Sequence, residues 1–353
     1  MASDPLAVLV QAGADAWWFE CADGAQLRVS RYSPDPTPDP GLDHRPRGTL
    51  LLLHGFGEFT EKYLPSIARL RALGLAVLTL DWRSQGRSTR YAESERRGYV
   101  RDFETLLDDV MALARDPRCQ VLGAPVWILG HPMGGMLALR LMERWTAVTD
   151  EPQTVRGLIL SAPMLGIYRL PRWFLAAVAR AQVWRGKAAE FAWGAGELDP
   201  DANENRITSD SQRFAEIMKL LRDEPLLRTH GATWGWLNAA ARLMKGALNK
   251  ATLAAYEHPI LLLSPSNDVI VDADLHRKFA ARCSACRYVQ LTGSCHEPMQ
   301  EQGAIQDAFY TEVEAFLNST AVDPKATVAG DSAATDSSAD HAPSRSITAS
   351  ANP

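Results

Sequence analysis

Four segments hold residues whose types and spacing can do chemistry: His54-Gly55-Phe56-Gly57-Glu58, Gly130-His131-Pro132-Met133-Gly134-Gly135, Asp268 and His296. Each follows a short apolar run that reads as a strand, at 49–53, 125–129, 260–264 and 288–291. A histidine oriented by a carboxylate serves first as general base and then as general acid. The glycines of the first segment let backbone N–H groups turn toward a bound oxygen. In the second segment, small residues two before and two after the centre permit the tight strand-turn-helix bend that presents a nucleophile. The order of bend, acid and histidine is that of a hydrolytic triad. The centre of the bend, however, is Pro132 where that chemistry uses a serine.

Regular elements must bring these ends together. Six apolar runs, 49–53, 75–80, 125–129, 158–161, 260–264 and 288–291, alternate with amphipathic stretches near 61–73, 99–115, 134–145, 272–282 and 304–317. Runs apolar on both faces that alternate with helices predict a mostly parallel central sheet with helices on both faces, an α/β architecture. Ahead of them, 17–33 predicts a hairpin about Asp23-Gly24, with Gln26, Arg28 and Ser30 alternating with Leu27, Val29 and Arg31. The proline-rich segment 34–41 cannot join a ladder and predicts a surface loop. Between Met164 and Tyr256 no strand-like run occurs, and Trp173, Trp184, Trp193, Trp234 and Trp236 gather there. An insertion of that length at a strand's carboxyl end predicts a helical cap over the site. The expected organisation is an N-terminal segment 1–15, a core of 16–163 and 257–318, a cap of 164–256 and a tail of 319–353. The tail has almost no large apolar side chain and should stay disordered.

The 353 residues include 37 basic and 42 acidic side chains, a net charge of −5. The basic residues are scattered, so no field for a phosphate backbone exists and nucleic acid is not an expected partner. Five cysteines at irregular spacing predict free thiols in a reducing compartment. Cys283-Ser284-Ala285-Cys286 has metal-ligand spacing with Cys295-His296 nearby, but no second such pair accompanies it, so neither metal nor cofactor is expected. The start lacks a basic leader region and no run of about 18 apolar residues occurs, which makes a cytoplasmic protein the expectation.

The motifs together resemble the α/β-hydrolases of the lysophospholipase and monoacylglycerol lipase group, which are also classed with the S33 serine aminopeptidases. His54 to Glu58 with Tyr63 is similar to that family's oxyanion loop, and Asp81-Trp82-Arg83-Ser84-Gln85-Gly86-Arg87-Ser88 to its Asp-x-Arg-Gly-x-Gly-x-Ser stretch. Gly130 to Gly135 resembles Gly-His-Ser-Met-Gly-Gly. Asn205 to Asp210 and Thr233 to Leu237 look like cap segments of bacterial lysophospholipases. The likeness covers about residues 16–318 and implies an α/β-hydrolase fold with an inserted helical cap. It further implies hydrolysis of a lipid acyl ester, with oxyanion N–H groups from Phe56 and Met133 and a triad completed by Asp268 and His296. Trp234 and Trp236 would line the substrate pocket, and an apolar cap would allow transient contact with a membrane surface. Peptidase action on free amino termini would need a carboxylate for the amine, with Glu58 and Glu297 as candidates.

Pro132 departs from this pattern. Proline offers no nucleophilic atom and no N–H, so acyl-enzyme formation at this position is excluded. The bend normally strains its nucleophile to positive φ, whereas the pyrrolidine ring fixes φ near −65° and restricts His131 before it. Three accounts follow: a recent one-base replacement of serine, a non-catalytic protein that keeps its pocket for a lipid or partner, or residual hydrolysis by water activated at His296 and Asp268. Ser161, Ser264 and Ser266 are substitute nucleophiles only where the fold brings one to His296.

Overall fold

The computed structural model describes residues 4–35, 47–91, 96–120, 125–148, 155–202, 204–249, 253 and 256–321. Residues 36–41 of the proline-rich loop and 322–353 of the expected tail lie outside the described residues. Eight strands make one sheet in the order β1-β2-β4-β3-β5-β6-β7-β8. They are β1 (Ala14–Glu20), β2 (Gln26–Tyr32), β3 (Gly48–Leu53), β4 (Leu75–Leu80), β5 (Val126–Gly130), β6 (Val155–Ser161), β7 (Ile260–Pro265) and β8 (Cys286–Leu291). β2 runs antiparallel to both β1 and β4, and the pairs from β4 to β8 are parallel. The helices are α1 (Ala7–Gln11), α2 (Leu64–Ala72), α3 (Glu104–Leu113), α4 (Pro117–Gln120), α5 (Met133–Val148), α6 (Arg172–Trp184), α7 (Ser211–Asp223), α8 (Trp234–Leu243), α9 (Ala273–Ala280) and α10 (Gly303–Thr320). This is an α/β-hydrolase architecture.

The continuous apolar strands are explained by cover on both faces. Leu51, Leu53 and Ile128 enter one core layer with Val110 of α3 and Leu137 of α5. Their neighbours Leu50, Leu52 and Leu129 enter the other, with Ile67 of α2 and Phe309 of α10. Strand periodicity of two thus feeds both layers from one run, and each fully buried leucine contributes about 1.5–3 kcal/mol over its exposed state.

The starting hairpin forms about Gly24, whose φ of +82° suits a residue without Cβ. Its alternation does not leave the polar side chains on an open face, because the segment before α1 and the turn before α2 lie over it: Arg28 Nη1 donates to Pro5 O at 3.1 Å as well as to Glu61. Arg28 and Ser30 are both buried. The Arg28 guanidinium donates from Nε to Asp81 Oδ2 at 2.8 Å and from Nη1 and Nη2 to Glu61 at 2.7 and 2.6 Å. Charges this deep are tolerated only when paired and hydrogen bonded.

Between β6 and β7 the chain forms α6, α7, α8 and a 3-10 turn at Pro225–Leu227. Asp210 caps α7 by accepting from Arg213 N at 2.9 Å, and Thr233 caps α8 by accepting from Trp236 N at 3.3 Å. Trp236 packs into the core layer of α3 and α5. Trp173, Trp184 and Trp193, by contrast, are 75%, 87% and 71% exposed, so the tryptophans do not pack as one apolar cluster.

The bend from β5 into α5 depends on close backbone approach. A Cβ on Gly134 would stand 2.0 Å from the carbonyl oxygen of Leu53, and one on Gly130 would stand 2.5 Å from the backbone of Gly134. Both obstacles are main chain and cannot rotate away. Gly134→Ala is therefore expected to destabilise the protein by about 1–3 kcal/mol, read as a lower urea midpoint; an unchanged midpoint would show that the crossing can relax.

Candidate functional site

Asp268 and His296 come from the loops that follow β7 and β8. His296 Nδ1 donates to Asp268 Oδ2 at 2.7 Å, and both residues are buried. The second carboxylate oxygen, Oδ1, accepts from the backbone N–H groups of Ile270 at 2.7 Å and Val271 at 2.9 Å. Burial acts against the charge, but these donors and the imidazole hold Asp268 below its ordinary pKa, so it stays a carboxylate. A donor at Nδ1 leaves the lone pair on Nε2, the tautomer a general base needs.

The His296 loop is pinned from two sides. Glu297 N donates to Ile207 O at 2.8 Å and Cys295 N to Glu301 Oε1 at 2.7 Å. Glu301 Oε2 in turn accepts from Ser209 N at 3.0 Å. The segment Asn205 to Asp210 therefore ties the chain before α7 to the loop that carries His296.

Pro132 immediately precedes α5, where a missing N–H removes no helical hydrogen bond, and it is not among the residues of positive φ. Its carbonyl accepts from Met136 N at 3.2 Å and Met164 N at 2.8 Å. The neighbouring imidazole of His131 lies 4.9 Å from that of His296, centroid to centroid, so the bend and the Asp268–His296 pair face one another. The pyrrolidine ring packs on the loop after β3: a Cβ on Gly55 would stand 2.4 Å from Pro132 Cδ. The N–H groups of Phe56 and Met133 donate to no acceptor among the described residues.

None of the three substitute serines is hydrogen bonded to His296. Ser264 Oγ pairs at 2.9 Å with His276 Nδ1, and His276 Nε2 reaches Pro163 O at 2.8 Å; both residues are wholly buried. Ser266 Oγ accepts from Gly293 N at 2.8 Å. Ser161 Oγ is buried without a partner among the described residues.

Trp236 stacks on Phe56 at 4.5 Å and shares with it and Met133 the lining of a cavity of about 10 Å³. Trp234 is not part of that lining. Its indole is buried in a separate cluster with Ala179 and Ala192, and Trp193 stands across it at 4.9 Å. Two positions along the helix decide the difference, because successive side chains point about 100° apart and these two therefore face nearly opposite ways.

Asp81 is a pin that motif matching does not explain. Its Oδ1 accepts from Thr60 N and Oγ1, both at 2.9 Å, and its Oδ2 from Arg87 N at 2.9 Å as well as from Arg28. A Cβ on Gly86, at φ +51°, would stand 2.1 Å from Asp81 Oδ2, so only glycine lets the 81–88 stretch wrap its own aspartate. Gln85 Oε1 accepts from Gly57 N at 2.5 Å, which carries that order into the Phe56 loop.

Beneath the site, Lys62 Nζ donates to Glu58 Oε1 and Glu297 Oε1, each at 2.6 Å, and Tyr63 Oη donates to Glu58 Oε2 at 2.6 Å. All four side chains are buried. Lys62 thus already holds one oxygen of each glutamate, while Glu297 Oε2 is buried without a partner among the described residues. Glu58, His131 and Glu297 present ligand atoms within 4.8 Å of one another, but the Lys62 ammonium is bonded to both glutamates of that set. Burial opposes the charge on Glu58, yet Lys62 and its other donors hold its pKa well below the ordinary carboxylate range. Burial, with Glu58 as a second anion, raises Glu297 from 4.5 to about 7 despite Lys62. Burial also lowers His131 to about 3, keeping it neutral. From about pH 4.5 to 7 the folded state therefore holds a proton on Glu297 that the unfolded chain has released, and stability falls as pH rises through that window. Glu297→Gln should flatten this slope, at most about 1.4 kcal/mol per pH unit, in urea unfolding at pH 5, 6 and 7; an unaltered slope would assign it to other groups.

Residues 44–303 match the family described as serine aminopeptidase, S33. Lysophospholipase L2 of Escherichia coli K12 is 28% identical over 272 residues, spanning 73% of this chain and 76% of its own length. Monoacylglycerol lipase of Mycolicibacterium smegmatis is 25% identical over 254 residues, 72% of this chain and 79% of its own. Among solved structures, a soluble variant of monoglyceride lipase from Saccharomyces cerevisiae in complex with a substrate analog superposes with a TM-score of 0.69 at 19% identity, covering 88% of this chain and 96% of that one. A carboxyl esterase from Bacillus coagulans gives 0.67 at 18% identity, covering 88% and 99%. With its sheet order, the buried Asp268–His296 pair and a family match over most of its length, the chain belongs to the serine aminopeptidase S33 family of α/β-hydrolases.

Proposed function

We propose that the site is built to hold an acyl ester of glycerol or of a lysophospholipid, and that the chain with Pro132 does not form an acyl-enzyme. The observation that carries this reading is a complete Asp268–His296 pair facing a bend with no hydroxyl at its centre. In the scheme, the N–H groups of Phe56 and Met133 hold the oxyanion, His296 Nε2 moves the proton, and Asp268 fixes the imidazole tautomer. Trp236 and Phe56 supply apolar walls for the acyl chain. The relatives' names, lysophospholipase and monoacylglycerol lipase, support a lipid ester over a peptide. The peptidase reading has less support, since Lys62 already binds both candidate carboxylates.

Without a nucleophile the site keeps an oriented imidazole, able at most to activate water. Trp173, Trp184 and Phe174 on α6 are exposed and support transient contact of the cap with a lipid surface. No helix among the described residues is long and apolar enough to cross a membrane.

The test compares the chain with Pro132→Ser on lysophospholipid and monoacylglycerol, together with labelling by a fluorophosphonate. The unmodified protein should neither label nor turn over, whereas Pro132→Ser should label at position 132 and gain about 10³-fold or more in hydrolysis. Adding His296→Ala should remove that gain. Rapid phosphonate-resistant turnover by the unmodified protein would refute the scheme, and saturable lipid binding with no gain from Pro132→Ser would leave a binding protein.

A further inference from the structure

We infer that a second ligand site lies on the flank of the molecule where α6, α8 and α9 meet, and that it takes a single-chain anionic amphiphile: one phosphate or carboxylate head on an alkyl tail. The site shares no residue with the reaction scheme and does not depend on it. A groove of about 710 Å³ opens there, within the range of roughly 300–1,000 Å³ usual for small-molecule sites. Its floor is apolar, formed by Ala176, Ala241, Met244, Leu248 and Leu275, with Trp173 also in the lining. Met244 and Leu275 are buried, while the Trp173 indole is three-quarters exposed.

The charge of the walls selects the occupant. Arg172, Lys245, Lys278 and Arg282 line the groove, and among the described residues no aspartate or glutamate does. Among the described residues none of these four forms an ion pair. Elsewhere on the surface arginines and lysines commonly have a carboxylate partner, as in Arg69–Asp307 or Lys219–Asp223. Arg172 Nη1 donates instead to Met244 O at 3.4 Å and Arg282 Nη1 to Leu248 O at 2.9 Å, which holds both guanidiniums at the groove wall. Four cations gathered without a counter-ion repel one another, and an anion among them relieves that repulsion. Inorganic phosphate would use the cations and leave the apolar floor wet; a neutral lipid would cover the floor and leave the cations unpaired. An anionic head with an alkyl tail satisfies both.

The experiment is calorimetric titration of the full chain with dodecyl phosphate below its micelle concentration. Inorganic phosphate, dodecyltrimethylammonium and phosphatidylglycerol vesicles form the comparison arms. The expected result is saturable binding of dodecyl phosphate, with phosphate and the cationic amphiphile weaker by about tenfold or more. Lys245→Glu with Lys278→Glu should cost about tenfold in affinity, and Ala241→Trp, which fills the groove without altering charge, should cost as much. Thermal unfolding of each variant establishes that it is folded. Undiminished affinity in either variant would overturn the site. So would binding to the vesicles alone, which would mark a membrane-contacting face, or equal binding of inorganic phosphate, which would mark a simple anion patch. Because the readout is binding, failure of Pro132→Ser to gain activity would leave this inference standing, and the reverse also holds.

Discussion

The close crossing of the β5–α5 bend over the end of β3 is the constraint on which the site depends. Gly130 and Gly134 meet backbone to backbone, and Gly134 lies against the Leu53 carbonyl. Only this approach sets residue 132 and Met133 beside the Phe56 loop. His131 N donates to Leu53 O at 2.9 Å and closes the same junction from the other side. Pro132 stands just before Met133, the first residue of α5, so its missing N–H takes no bond from the helix ladder. The strands and the buried Asp268–His296 pair are in place around a position that carries no hydroxyl.

Two buried ion networks extend this order into the loops. Arg28, Glu61 and Asp81 join β2 to the chain before α2 and to the stretch after β4. Glu58, Lys62 and Glu297 join the Phe56 loop to the loop of His296. Removing one partner from either network would strand a charge away from water, a larger penalty than the pair's own attraction. Such networks are weak evidence for stability, and their value lies in geometry: each links loops that no strand pairing connects. Sharing one ammonium between two carboxylates also explains why Glu58 is held ionised while Glu297 is pushed toward neutrality.

The helices between β6 and β7 have a double character. Trp236 is part of the core and packs on Phe56, whereas α6 leaves Trp173, Phe174 and Trp184 in contact with solvent. The caps at Asp210 and Thr233 and the Ile207 contact to the His296 loop hold this region to the core. The cationic groove shares Trp173 with that exposed face, and neither Asp268 nor His296 is in its lining.

Apolar runs of the right length, spaced by amphipathic stretches, were enough to read the six-strand parallel core, because burial on both faces leaves no polar alternation to confuse. The same runs placed Phe56, Pro132, Asp268 and His296 just beyond strand ends, where the fold has them, and the fold bonds His296 to Asp268; the parts they would take in catalysis come from the family resemblance alone. Periodicity failed where partners come from far along the chain. Arg28 and Ser30 alternate with apolar neighbours in a hairpin, yet both are buried, and Asp81 and Glu61 neutralise the arginine. Trp234 and Trp236 look equivalent in one dimension, and a helical rotation sends them into different clusters. Lys62 gave no signal at all, since its two carboxylates lie 4 and 235 positions away. Local composition dictates which segments become strands, helices and bends, because those preferences act over a few residues. Which charges meet, which serine finds which histidine, and where four cations gather without an anion are settled by packing, because those distances exist only once the sheet has closed.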